Sequence, residues 1–156
     1  MNILILGDIV GPSGREGLRN NLKKLLEKKK IDFVIANGEN SADDGKGITK
    51  EITDEFFEMG INVITSGNHI WDKKETTEFI SKEDRLLRPE NLAQGSPGNG
   101  YGIYFTKDKK FKVAVVNLMG NVFMRKTEDV FISAAKLQKK IKLKEEADFI
   151  VVDFHG

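Results

Sequence analysis

Four short apolar runs constrain the fold of this sequence more than any other feature. A polar side chain follows each of them. The runs cover residues 3–6, 33–36, 63–65 and 149–152. Continuous apolar runs of this length are typical of strands that are buried on both faces of a parallel sheet. The first three runs alternate with helical segments, which predicts an α/β fold with a β-α-β-α-β order and right-handed crossovers.

The segments between the runs predict four helices and one hairpin. The expected helices cover residues 13–30, 49–59, 72–80 and 128–146, and the hairpin joins residues 102–106 to residues 112–117. Thr49 is the expected N-cap of the second helix, and Gly60 is its expected stop. Asp72 and Glu75 resemble a capping box at the start of the third helix. Because the hairpin adds antiparallel pairing, we expect the full sheet to be mixed.

Composition excludes several classes of protein. The sequence has no Cys, which rules out a disulfide scaffold, Cys-ligated zinc and iron–sulfur clusters. Lys and Arg total 25 against 24 Asp and Glu, and the net charge of +1 gives no electrostatic signal for nucleic acid or acidic membranes. No apolar stretch approaches the length of a membrane span and the first residues do not resemble a signal peptide, so we expect a cytoplasmic protein.

The length of 156 residues suits one domain. Gly156 comes soon after the apolar run at residues 149–152, whereas domains more often finish in a polar or capped segment. We therefore expect residues 1–156 to be the N-terminal part of a single, longer domain.

The polar side chains that follow the four runs supply oxygen and nitrogen donors. They are Asp8 after the first run, Glu39 and Asn40 after the second, Asn68 and His69 after the third, and His155 after the fourth. Because ligands bind at the carboxyl ends of the strands in open α/β sheets, we expect these donors to converge. The mixed set suits manganese, iron, zinc or magnesium rather than a soft metal. Glu39 has two oxygens and can bridge two ions ~3.5–4 Å apart.

Each of these residues also has a plain structural interpretation when it is taken alone. An Asp after a first strand, such as Asp8, is often only a turn or cap residue, and Gly67-Asn68 is a common turn pair. A His at the end of a strand, such as His155, is often simply hydrogen-bonded. The combination of four strand ends favours a functional site, because ligand-binding residues concentrate in the loops that a rigid scaffold positions.

A family resemblance rests on the residues at these strand ends. The Gly-Asn-His of residues 67–69 looks like the signature of calcineurin-like metallophosphoesterases, which also present an early Gly-Asp, as at residues 7–8. Two departures narrow the match: residues 8–10 are Asp-Ile-Val instead of Asp-x-His, and residues 38–40 are Gly-Glu-Asn instead of Gly-Asp. With Asp-Phe-His-Gly at residues 153–156, these motifs resemble the YmdB-like family of bacterial phosphodiesterases over essentially the whole sequence.

The resemblance implies a calcineurin-like metallophosphoesterase fold, in which helices enclose mixed β-sheets, and implies that this chain is incomplete at its C-terminus. It also implies a two-metal site. Asp8, Glu39 and Asn40 would hold the first ion. Glu39 would bridge to the second ion, which Asn68 and His155 would also bind.

The same resemblance implies a reaction. His69 would be the general acid that protonates the leaving oxygen, and the near-neutral pKa of imidazole suits that role. The implied substrates are small phosphoesters, above all 2′,3′-cyclic nucleotides, with iron as the expected metal and manganese or magnesium as alternatives. Family members carry a later Gly-x-His-x-His motif that gives one ligand to each metal, but this sequence has only His69 and His155. We therefore expect weak metal binding and little or no activity.

Two other interpretations stay open from the residues alone. A non-catalytic nucleotide-binding or regulatory α/β module would use residues 11–15, whose backbone N–H groups can hold a phosphate and whose Arg15 suits phosphate oxygens. An interaction fragment would pair through an exposed sheet edge, which makes a homo-oligomer a further expectation. The loop at residues 89–100 is either a lid over substrate or a disordered surface loop.

Overall fold

The computed structural model describes residues 1–124 and 127–156, which form two three-stranded sheets and their helices. The strands are β1 (Ile3–Leu6), β2 (Phe33–Asn37), β3 (Val63–Thr65), β4 (Tyr101–Phe105), β5 (Lys112–Met119) and β6 (Phe149–His155). The helices are α1 (Gly11–Lys29), α2 (Lys50–Glu58), α3 (Thr76–Phe79) and α4 (Val130–Lys140), with a 3₁₀ turn at Ile80–Lys82. The predicted β-α-β-α-β order of the first three strands is confirmed.

The hairpin of β4 and β5 does not extend the first sheet, so the prediction that it makes that sheet mixed was wrong, and it instead belongs to a second sheet, which is mixed. β1, β2 and β3 pair in parallel in that order, whereas β4 pairs antiparallel with β5 and β5 pairs parallel with β6. The physical reason lies in one face of β5, where Val113 and Val115 pack with Phe33, Ile35 and Val63 of the first sheet. Stacking the sheets face to face buries apolar surface that edge-to-edge pairing would leave uncovered.

Helices cover the outer faces of the two sheets. On the first sheet, Val34 of β2 packs with Leu22 of α1 and Phe56 of α2. On the second sheet, Val116 of β5 packs with Leu137 of α4. The layers therefore follow the order helix, sheet, sheet, helix. No helix in the described part of the chain is both long and apolar enough to cross a membrane.

The ends of the first two helices follow from local sequence. α1 begins at Gly11, two residues earlier than predicted, because Pro12 has a backbone that suits the first helical turn. Thr49 caps α2 as predicted, since its side chain accepts a hydrogen bond from the Ile52 N–H. Gly60 follows α2 with a φ of +99°, which confirms it as the stop.

The other two helices depart from the predictions. α3 begins at Thr76 and not at Asp72, and it has no side-chain cap. The Asp72 carboxylate bonds the His69 ring at 2.7 Å. α4 is shorter than the predicted helix over residues 128–146. The Asp129 side chain caps its first turn, and the backbone is already extended at Ile141.

Hydrogen bonds shape the loop that leads from the first sheet to β4. The Arg88 guanidinium donates to the backbone oxygens of residues 89, 90, 96 and 97. Asn91 is fully buried, and its side chain bonds both the N–H and the carbonyl oxygen of Met119 at the end of β5. This loop therefore has a defined conformation instead of the disorder considered for it, while its closure over a substrate stays a prediction.

The second sheet is less completely covered than the first. β6 is an edge strand, and Ile150, Val152 and Phe154 on its outer face are 38%, 51% and 55% exposed. Ile150, Val152 and the exposed Phe131 of α4 help to line an open apolar cavity of ≈ 420 Å³. The described residues thus leave one apolar face of the sandwich in contact with solvent.

Candidate metal centre

The strands that carry the predicted ligands end at one edge of the sandwich. Parallel pairing places the carboxyl ends of β1, β2 and β3 together, and β6 approaches them from the second sheet. Along β2 and β6, the side chains that face the other sheet change from apolar, at Ile35 and Val151, to polar, at Asn37 and Asp153. The Asn37 Nδ2 lies 3.3 Å from Asp153 Oδ2, so the two sheets are joined just below His155.

The five predicted metal ligands form one continuous series of contacts. The series runs from Asp8 Oδ2 to Asn40 Nδ2 (2.7 Å), from Asn40 Nδ2 to Glu39 Oε1 (3.3 Å), from Glu39 Oε1 to His155 Nε2 (3.2 Å) and from His155 Nε2 to Asn68 Oδ1 (2.8 Å). The structure therefore brings together side chains from the ends of β1, β2, β3 and β6. Their role as ligands stays a prediction.

Glu39 is the centre of this series and is almost fully buried, with 1% of its surface exposed. Burial raises the pKa of its carboxyl group, and the nearby Asp8 charge acts in the same direction. The neighbouring His155 and the His69 backbone N–H, which lies 3.3 Å from Glu39 Oε2, partly oppose that rise. A buried carboxylate in this position would be stabilised by a bound cation.

Gly67 makes the close approach of the two sheets at the site geometrically feasible. A Cβ atom on Gly67 would overlap both Glu39 Oε2 and the ring of His155. Glycine is therefore required here because of space, since its φ lies outside the left-handed region. The backbone at Gly67, between β3 and Asn68, therefore fits between the side chains of Glu39 and His155.

His69, the predicted general acid, is held by a residue that sequence analysis assigned to a different role. Its Nδ1 lies 2.7 Å from Asp72 Oδ2, and its side chain is 28% exposed. When Nδ1–H donates to the carboxylate, Nε2 is left to exchange a proton with a ligand. The signal in the sequence was the spacing of three between the two residues, which the capping-box interpretation obscured.

The types of donor atom suit a metal ion, but few carboxylate or imidazole groups lie close enough together to share one. Within residues 1–124 and 127–156, no group of three or more His, Asp or Glu side chains is arranged to hold a metal ion. Asp8 is instead linked to Glu39 through the amide of Asn40, Glu39 contacts His155 directly, and Asn68 contacts His155. Carboxylate, amide and imidazole donors suit iron, manganese or magnesium.

Residues 11–15, the alternative phosphate-binding segment, are largely occupied by protein contacts. The Gly11 N–H donates to the Asn40 carbonyl oxygen at 2.8 Å, and the Gly14 N–H donates to Val10 at 3.0 Å. The Arg15 guanidinium pairs with Asp43. These contacts favour a structural role for the segment, which holds the start of α1 beside the loop that carries Asn40.

The chain is similar to known proteins in sequence and in fold. A family described as YmdB-like protein matches residues 4–156. The 2′,3′-cyclic-nucleotide 2′-phosphodiesterase of Bacillus subtilis (strain 168) is 40% identical over 156 residues, which is 100% of this chain and 57% of that protein. The chain thus spans little more than half the length of this relative.

Two solved structures share the fold over nearly the whole chain. A protein described as a novel phosphatase from Mycoplasma pneumoniae is 33% identical with a TM-score of 0.86, covering 98% of this chain and 54% of that one. A hypothetical protein from Thermus thermophilus is 30% identical with a TM-score of 0.87, covering 99% and 57% respectively. The expected fold, part of a calcineurin-like metallophosphoesterase sandwich, is confirmed.

Proposed function

The chain belongs to the YmdB-like protein family, and on that premise we propose that it carries part of a metal-dependent phosphodiesterase centre. The observation that carries the proposal is the series of contacts that joins Asp8 to Asn68 through the buried Glu39. Side chains from four strand ends meet there, at the sheet edge where α/β proteins bind ligands. A purely structural cluster would not need a nearly inaccessible carboxylate beside two imidazole-bearing segments.

Two sets of donors share Glu39. Asp8, Glu39 and Asn40 would hold one ion, and Glu39, Asn68 and His155 would hold a second. We propose iron as the metal, with manganese or magnesium as alternatives, because carboxylate, amide and imidazole donors suit these ions. When bound, the ions supply Lewis acidity at a phosphoryl group and stabilise the charge that develops there.

His69 supplies the proton for the leaving group. A water molecule attacks phosphorus and forms a new P–O bond as the bond between phosphorus and the leaving oxygen breaks. The proton on His69 Nε2 passes to the leaving oxygen, which departs as a hydroxyl group, and the proton that the water gives up is released to solvent. Asp72 accepts a hydrogen bond from the Nδ1–H of His69 and thereby fixes the orientation of the imidazole ring.

The proposed substrate is a small phosphodiester of the class named for the Bacillus subtilis relative, a 2′,3′-cyclic nucleotide. The Gly-x-His-x-His motif that the family resemblance implies is not in this sequence. We therefore expect this chain to bind metal weakly and to turn over substrate slowly, because each ion would lack one imidazole ligand. A cytoplasmic location and a homo-oligomer stay predictions.

Manganese titration tests the centre without relying on catalysis. The free Mn²⁺ signal is followed by electron paramagnetic resonance for the chain and for Glu39→Gln. Glu39→Gln should weaken Mn²⁺ binding by at least about tenfold, because both sets of donors lose their shared carboxylate.

Glu16→Gln is the matched control, because it makes the same chemical change on the exposed surface of α1. It should leave Mn²⁺ affinity unchanged. Equal affinity in Glu39→Gln and the unmodified chain, or no Mn²⁺ binding by the unmodified chain, would contradict the proposed centre. Hydrolysis of 2′,3′-cyclic AMP, followed by chromatography, then tests the substrate class separately.

A further inference from the structure

Directly below the candidate metal centre, polar side chains replace the apolar core between the sheets. We name these residues the inter-sheet layer: Asn37 on β2, Ser66 after β3, Asn117 on β5 and Asp153 on β6. Two residues earlier on β2, β5 and β6, the side chains that face the other sheet belong to the apolar core. A polar layer in this place is costly unless its groups are paired with one another.

Asn117 has the most complete set of partners in the inter-sheet layer. Its side chain is fully buried. Its Oδ1 accepts a hydrogen bond from the Ser66 N–H at 2.9 Å, and its Nδ2 donates to the Asp153 carbonyl oxygen at 3.4 Å. Its own backbone bonds Gly100 and Glu90. One side chain therefore connects a loop of the first sheet to the neighbouring strand of the second.

The two groups that Asn117 holds lie next to predicted ligands. Ser66 is two residues before Asn68, and Asp153 is two residues before His155. The ligand side chains lie 2.8 Å apart, from Asn68 Oδ1 to His155 Nε2. Because these ligands come from different sheets, their separation depends on what fixes one sheet against the other.

We propose that Asn117 is a positioning residue that sets the separation of Asn68 and His155. Its consequence for metal binding rests on the proposed function, whereas its effect on geometry does not. Asn68 and His155 would both bind the second ion, so displacement of either weakens that ion's coordination. The side chain of Asn117 acts through its bonds to Ser66 and Asp153.

Nuclear magnetic resonance tests the geometry directly. A nuclear Overhauser contact between the Asn68 side-chain amide and the His155 ring should appear in the unmodified chain and be lost in Asn117→Ala. Asn62→Ala is the matched control: Asn62 Oδ1 also accepts a backbone N–H, that of Val34 at 2.7 Å, but at the opposite end of β3. The contact should persist in that variant.

Mn²⁺ titration supplies the second arm of the test. Asn117→Ala should weaken Mn²⁺ binding by about 10–100-fold, the usual effect of removing a residue that orients a ligand, while Asn62→Ala should change it less than about twofold. If the unmodified chain shows the contact but binds no Mn²⁺, the proposed metal centre fails while the role of Asn117 in geometry stands.

Two results would overturn the inference. One is a contact between Asn68 and His155 that survives in Asn117→Ala, or that is missing from the unmodified chain. The other result comes from hydrogen exchange in the unmodified chain, so the test remains possible if Asn117→Ala does not fold. The Ser66 amide should exchange with deuterium as slowly as the amides of β2, and exchange as fast as that of exposed loop amides refutes the bond to Asn117.

Discussion

Strands β2 and β6 have similarly apolar sequences but opposite surroundings. β2 lies between β1 and β3, and all five of its residues are buried. β6 pairs with β5 on one edge, and Val152 and Phe154 on its outer face are more than half exposed. An apolar run therefore indicates that a strand needs cover on both faces, but it does not indicate whether the same chain supplies that cover.

The candidate metal centre lies between these two regions. Glu39 follows the enclosed strand β2, whereas His155 ends the open strand β6. The first sheet is held by helices on one face and by β5 on the other, and it is therefore expected to fix its ligands more firmly. Changes on the two sides of the centre should differ in effect, and the following experiments measure that difference.

The largest expected effect is on the enclosed side. Ile35→Asp places a charge between the two sheets at a residue that is 1% exposed, which should cost more than about 4 kcal/mol of unfolding free energy. Val152→Asp makes the equivalent change on β6 and should cost less than about 1 kcal/mol. Urea unfolding followed by circular dichroism compares the two. Equal losses would show that β6 is as enclosed as β2.

The second effect concerns the contact between the two regions at Gly67. Gly67→Ala should weaken Mn²⁺ binding by at least about tenfold, because the new methyl group would push Glu39 and His155 apart. Gly17→Ala is the control, since a Cβ at that exposed position of α1 meets no atom. It should raise stability by about 0.5–1 kcal/mol and leave Mn²⁺ binding unchanged. Unaltered binding in Gly67→Ala would mean that β6 moves freely.

A third prediction concerns the open face itself. The chain should self-associate at high concentration through β6, and Val152→Lys should shift it to the monomer, because a charged side chain opposes pairing at a sheet edge. Ile5→Lys is the control, since Ile5 is 57% exposed on β1, an edge strand of the first sheet. Size-exclusion chromatography with light scattering measures both. Association that is lost in Ile5→Lys and kept in Val152→Lys would show that the first sheet, and not the second, presents the open face.

The smallest effects are expected at the helix caps. Thr49→Ala in the enclosed region and Asp129→Ala in the open region should each cost about 1 kcal/mol, because each removes acceptors for N–H groups of the first helical turn. Unfolding midpoints in urea give both values. A loss of several kcal/mol for one cap alone would show that the capped helix decides the stability of its whole region.

Local patterns in the sequence predicted the strands and the convergence of their ends. The apolar runs before Asp8, Glu39 and Asn68 indicated parallel strands. That order was enough to predict that these donors lie together. The fit of Gly67 between Glu39 and His155 was beyond prediction, because it depends on how closely the two sheets approach.

Other features depend on contacts between distant segments. The hairpin pattern is the same whether β4 and β5 join the first sheet or stack on it, so only packing decides. Asn117 follows four consecutive apolar residues of β5, and its partner Ser66 is distant in sequence. Asp72 showed a spacing that suits either a helix cap or an imidazole partner, and the fold selected the second.

The alternation of side chains along β6 determines what happens if this strand pairs with β5 in the wrong register. Val151, Asp153 and His155 face the first sheet, while Ile150, Val152 and Phe154 face outwards. If the strand slipped by a single residue against β5, every side chain would exchange faces. The imidazole would leave the centre at the same moment that hydrophobic groups entered the polar layer. A slip by one residue would therefore affect both faces of the strand at once, and an imidazole that stays beside Glu39 excludes that slip.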